Sequence, residues 1–229
     1  MNTEVTTTKT TMPANLIETP WGSEGADSHD MLIPRLMLQQ PLSDYVAKGK
    51  ATPGDIVESI NGDTVAKKGE SIEIIPITTF KTWMRYKQVQ GKWEFEEQVP
   101  FSVSNAGWQY EETKDGIVWR NDSVLNFFVL LATKLTELPH LLAFKRSSYH
   151  TGRKLSTHFQ TASMKKMPAA ATVFKLSAQL TTVDKNSFWT FNLEKSRDSK
   201  KEELSTAYSW WETLRSKNVK TDDDEKVPF

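Results

Sequence analysis

Between Phe80 and Lys87 the chain alternates two kinds of side chain, with Lys81, Trp83, Arg85 and Lys87 at odd positions and Phe80, Met84 and Tyr86 among the even ones. An extended strand sends these two sets to opposite faces, so one face is core-like and the other mixes three cations with an indole. That mixture suits unpaired nucleic acid, because bases stack on aromatic faces for about 1–3 kcal/mol each while Lys and Arg track the phosphates. Trp93, Trp108, Tyr110, Trp119 beside Arg120, and Trp189 extend the supply of rings. Large aromatics are also the usual filling of a core, and Trp83 stands apart from the others because its neighbours at period two are charged.

Other chemistries find less support. His29, His140, His150 and His158 are scattered, and no pair has the i,i+4 spacing that puts two imidazoles on one helix face. Asp27, His29 and Asp30 read as a solvated loop, and with no cysteine in the chain thiolate metal sites, thiol nucleophiles and disulfides are absent together. No glycine-rich phosphate cradle is present, so His150-Thr151-Gly152-Arg153-Lys154 reads as a basic helix start. The enzymatic alternative is a Mg²⁺-dependent nuclease or other DNA-processing enzyme built on Glu112-Thr113-Lys114 with Glu94, Glu96 or Glu97; that element falls at a hairpin turn, where charged residues are expected anyway. No catalytic residue, metal ligand or cofactor is therefore assigned, and the protein is expected not to be an enzyme. A third reading is an assembly or adaptor protein without nucleic acid, its rings simply core.

The 29 basic and 29 acidic residues cancel in number but not in place. From 134 to 175, Lys134, Lys145, Arg146, Arg153, Lys154, Lys165, Lys166 and Lys175 face Glu137 alone, whereas the first 33 residues and the last nine are net acidic. Lys145, Arg146, Arg153, Lys154, Lys165 and Lys166 are the expected phosphate-facing patch.

The elements that must position these residues are mostly strands. SIEIIPITTFKTWMRYKQV at 71–89 is a long β-rich run, turned by Gln90-Gly91-Lys92 into WEFEEQVPF. DIVESINGDTVA reads as a hairpin about Asn61-Gly62-Asp63. Trp108 to Glu112 pairs with Ile117 to Asn121 across Lys114-Asp115-Gly116, and Val124 to Thr133 is apolar enough to be covered on both faces. TVFKLSAQLTTV alternates, with Phe174, Leu176, Ala178 and Leu180 on one face, and Asp184-Lys185-Asn186 returns it into SFWTFNLEK. A basic amphipathic helix is expected at about 150–165. A second is expected at 199–217, with a Ser199/Glu202 capping box and an apolar face of Leu204, Ala207, Tyr208, Trp211 and Leu214. The fold class is mainly β: an OB-like β-barrel with one or two additional helices. Its expected limits are a flexible arm at 1–30, the barrel at 31–198, the helix at 199–217 and an acidic tail at 218–229.

The chain ends Asp222-Asp223-Asp224-Glu225-Lys226-Val227-Pro228-Phe229. This ending resembles the C-terminal tip of bacterial single-stranded DNA-binding proteins, where an acidic run leads into an apolar residue, proline and a terminal phenylalanine. The body resembles the OB-fold single-stranded DNA-binding proteins of bacteriophages. The resemblance implies that Val227, Pro228 and Phe229 dock in an apolar pocket of a replication or recombination partner while Asp222, Asp223, Asp224 and Glu225 steer the approach. Lys226 interrupts the acidic run, and a helix carrying Trp210 and Trp211 stands where the bacterial family has a long linker. The expected function is sequence-independent binding and protection of single-stranded DNA, with self-association left open. No run of about 18 apolar residues or signal-peptide core is present, so the expected place is the cytoplasm, that of the host if the chain is phage-encoded.

Overall fold

The computed structural model describes residues 32–101 and 111–216. The expectations for the arm, for Trp108 and Tyr110, and for Asp222–Phe229 lie outside them. The chain is mainly β, and its principal sheet curls into a half-barrel.

Three short strands, β1 (Leu36–Leu38), β2 (Ile56–Glu58) and β3 (Thr64–Ala66), form a small sheet in that order; a single helical turn, α1 (Asp44–Ala47), lies between the first two. The principal sheet is built on β4 (Ser71–Val89), whose limits coincide with the β-rich run of the sequence. Its second half pairs with β5 (Lys92–Pro100), and β6 (Glu111–Lys114) turns back into β7 (Ile117–Leu131), which pairs with β4 along most of its length. Both hairpin turns are two-residue loops with two positive φ values, at Gln90-Gly91 and Asp115-Gly116. This geometry matches the right-handed twist of the flanking strands and suits glycine at the second position. Strand β8 (His140–Phe144) pairs with β7, helix α2 (Tyr149–Met164) follows, and the hairpin of β9 (Thr172–Val183) and β10 (Asn186–Asp198) returns to the start of β4 through Ser71–Ile74. Helix α3 (Lys201–Ser216) ends the described chain.

The long strands, then a helix, then a hairpin whose first strand pairs with β4 make the OB-like order. A parallel bridge between Arg35 and Leu141, with the Leu141 N–H donating to the Pro34 carbonyl at 2.7 Å, joins β8 to the entry of β1. The seam between β1 and β10 is spanned by a side chain. Gln40 Nε2 donates to the Trp189 carbonyl at 2.8 Å, and Gln40 Oε1 accepts from the Trp189 N–H at 3.0 Å, so one carboxamide fills both backbone valences that a neighbouring strand would have filled.

As its apolar run predicts, the end of β7 is buried on both faces. Leu125, Phe127, Val129 and Leu131 point inward to a core with Phe144, Leu155, Phe174 and Leu176. Phe128 and Leu130 point outward against a second cluster that holds Ile75, Ala207, Trp210 and Trp211, so α3 lies on the outside of the sheet. Helix α2 is amphipathic as expected, with Leu155 and Ala162 buried. It approaches β8 closely: a Cβ on Gly152 would lie 2.6 Å from that of Phe144.

Four details depart from the sequence reading. Strand β8 was not foreseen, because HLLAF is a short apolar run without alternation. The expected face of β9 runs off the core, leaving Leu180 exposed. On α3, Tyr208 is exposed and Trp210 packs inward with Trp211. The capping box shifts by one residue. The Lys200 N–H donates to Glu203 Oε2 at 2.6 Å, and the Ser199 hydroxyl bonds the Ala170 carbonyl. The shift follows from Arg197, which grips the buried Glu203 at 2.7 and 2.8 Å and reaches Glu73 at 2.8 Å, tying α3 to β10 and β4. Among the described residues no helix is long and apolar enough to cross a membrane.

Candidate nucleic-acid interface

Beyond the core, β5, β4, β7 and β6 continue as a four-stranded arm with two distinct faces. The inner face carries on from the barrel interior. Here Lys81, Trp83, Arg85 and Lys87 line up as the alternation predicts, all half-buried. Trp83 stacks on Phe101 at 5.3 Å and 16°, and the Lys81 ammonium lies 3.6 Å from the centre of the same ring. Arg85 lies over Trp119 at 4.1 Å.

The inner face also carries acids that the linear sequence did not place there. Arg85 meets Glu112 at 3.1 Å and Glu97 at 3.7 Å; Lys87 meets Glu96 at 2.6 Å. The hydrogen bond to Glu96 holds the Lys87 ammonium above its ordinary pKa. Glu94, directly opposite Lys87 in the register, is exposed. A slip in the register between Arg85 and Tyr86 lets Glu96 and Glu97 both reach this side. Of the carboxylates of the nuclease alternative, Glu96, Glu97 and Glu112 are thus turned onto Lys87 and Arg85, and among the described residues no group of three His, Asp or Glu side chains is placed to hold a metal ion.

The outer face was read as core-like, and in part it is, since Met84, Tyr86 and Val124 are buried there. Over them lies a ladder of rings and guanidinium groups. Arg120 lies 4.7 Å from the Trp93 ring and 4.9 Å from the Tyr86 ring, and Arg146 lies 5.1 Å from Tyr86. Beneath them is Asp122, whose Oδ2 accepts from Arg146 Nε at 2.6 Å and whose Oδ1 is 3.7 Å from Arg120 Nε. Lys145, at the end of β8, brings its ammonium to 3.7 Å from the Met84 sulfur. Burial pushes the Tyr86 phenol above its ordinary pKa, so it stays neutral among these cations.

The two faces therefore offer different surfaces to a phosphate. On the outer face the Asp122 side chain is 2% exposed and Arg146 46%, so the acid is underneath and the cation on top. Among the described residues only Glu111, at the β6 edge opposite Arg120, is an exposed acid in the same register. On the inner face the acids themselves are accessible, with Glu96 38% and Glu97 45% exposed. Half-buried Trp93 and Phe95 supply open ring area on the outer face; Phe95 packs edge-on to Tyr86 at 5.8 Å. The sequence reading missed Tyr86 and Phe95 as site residues. The only signal that could have found them is the Arg at position 120, which falls opposite Tyr86 once the β4–β7 register is known.

The expected basic patch is divided. Lys145 and Arg146 stand at the N-terminal end of α2 beside the outer face; Arg153 and Lys154 are exposed on its first two turns. Lys165 and Lys166 lie past its C-terminal end, about 24 Å away along a 16-residue helix. At that end positive charge also complements the helix dipole, which is reason enough for two lysines.

A family model described as Pam3 phage gp34-like protein matches residues 6–220. Neither a curated protein nor a solved structure matches the chain.

Proposed function

Because the chain belongs to the Pam3 phage gp34-like protein family, we propose that it is a bacteriophage protein that binds single-stranded DNA without reading its sequence. The observation that carries this is the outer-face ladder of Trp93, Arg120, Tyr86 and Arg146, with its acid buried below it. OB-folds bind oligonucleotides across their second and third strands, and β7 and β8 hold those places in this barrel. Trp93 and Phe95 offer stacking surface, Arg146 and Lys145 meet phosphates, and Arg120 holds Trp93 in place. The tail from Asp222 to Phe229 recruits replication or recombination partners, in keeping with its resemblance to the bacterial tip.

A tryptophan-fluorescence titration of the full chain with single-stranded DNA, duplex DNA and RNA at two salt concentrations tests the reading. Single strands should quench the fluorescence and bind more tightly than duplex, with affinity falling steeply as salt rises. Equal affinity for duplex, or a response flat in salt, would overturn it.

A further inference from the structure

We infer that the arm is electrostatically one-sided: Glu94, Glu96 and Glu97 on β5 keep nucleic acid off an inner face that otherwise has the makings of a second strand-binding surface. That face has a stacked ring pair, Trp83 on Phe101, and a second ring, Trp119, under Arg85. Lys81 and Lys87 flank them at period two. These are the components that a single strand engages elsewhere, rings for bases and cations for phosphates. The carboxylates of Glu96 and Glu97 lie against Lys87 and Arg85, where phosphate oxygens would have to go, and Glu94 stands across from Lys87. An incoming phosphate must displace an anion already in place and approach others that remain, a like-charge contact that excludes a wrong ligand.

The acids have no evident structural duty of comparable weight. Glu96 and Glu97 are well exposed, and exposed ion pairs contribute little to stability. Glu112 differs, being 21% exposed and bonded to both Arg85 and Asn121, so it belongs to the framework of the face. The consequence is that one chain takes one strand, on the outer face. From the proposed function this inference takes the ligand class and the strand on the outer face.

The test is a triple variant, Glu94→Gln, Glu96→Gln, Glu97→Gln, in the full chain, compared with the parent for stoichiometry and affinity toward a short oligothymidylate at low salt. The variant should gain a second oligonucleotide per chain, its affinity at that site at least about tenfold above any inner-face binding of the parent, from three like-charge contacts removed. Adding Trp83→Leu to the triple variant should abolish the gained site, and thermal melting checks that each protein is folded. A triple variant that binds no additional oligonucleotide, a gained site indifferent to Trp83→Leu, or a parent that already takes two strands per chain would overturn the inference. Failure of the proposed function is read separately, from a parent that binds no strand at all. In that case a Trp83-dependent site appearing in the variant would still support the screening role of the acids, and its absence would refute it.

Discussion

Replacing Arg146 separates its two duties, because one partner is buried protein and the other is the proposed ligand. In Arg146→Gln the buried Asp122 carboxylate loses its 2.6 Å donor and keeps Arg120 Nε at 3.7 Å. Breaking a fully buried pair costs about 3–5 kcal/mol, and losing an exposed one about 0.2–1 kcal/mol. Here one partner is 2% exposed and the other 46%, so the expected loss of stability lies between those limits, at about 1–2 kcal/mol. On the binding side one phosphate contact disappears, and the slope of log affinity against log salt should flatten by about 0.7. Arg146→Lys is the matched control: it keeps the charge and the slope but loses the planar group over Tyr86 and the Nε bond, and so keeps most of the stability loss. Urea unfolding measures the first quantity and oligonucleotide titrations at four salt concentrations the second. A folded Arg146→Gln protein with an unchanged salt slope would refute the placement of the strand on the outer face. So would an Arg146→Lys protein whose slope falls as far as that of Arg146→Gln.

Trp93→Ala should cost about 1–3 kcal/mol of single-strand binding while leaving the fold intact, whereas Tyr86→Ala, in the buried cluster, should lower the melting temperature; equal binding by Trp93→Ala and the parent would exclude stacking there. Acid should loosen α3. The hydrogen bond from Ser196 holds the Glu73 carboxyl, and that from Arg197 the Glu203 carboxyl, below the usual range. The stability they lend is therefore complete above about pH 4.5 and is lost as the pH falls below it, and hydrogen exchange across 201–216 should accelerate there while β4 and β7 stay protected. Gly152→Ala should be destabilised by about 1–3 kcal/mol in thermal unfolding, since the new methyl group meets Phe144 inside a packed core. Phe229→Ala should abolish capture of replication or recombination partners while leaving DNA affinity unchanged; a variant that still captures every partner of the intact chain would make the tail a solubilising end.

Much of the fold is local in origin and could be read directly. The runs 71–89 and 172–183 are strands with those limits, because β-branched and aromatic residues at period two have one way to bury a face and the turn residues stand at both ends. The same period placed Lys81, Trp83, Arg85 and Lys87 on one side of β4 and Met84 and Tyr86 on the other. Which side suits a phosphate was not decided by that period, since accessible charge depends on what neighbouring strands lay across each face. The register with β5 and β6 brings Glu96, Glu97 and Glu112 to the cations of the inner face. The pairing of β7 with β4, and the turn after β8, bring Arg120 and Arg146 over Tyr86 with Asp122 beneath. Gln40 closing the seam on Trp189, 149 residues away, belongs to the same class. A strand's own alternation states which residues share a face; only the folded chain brings the distant residues that decide what that face can bind.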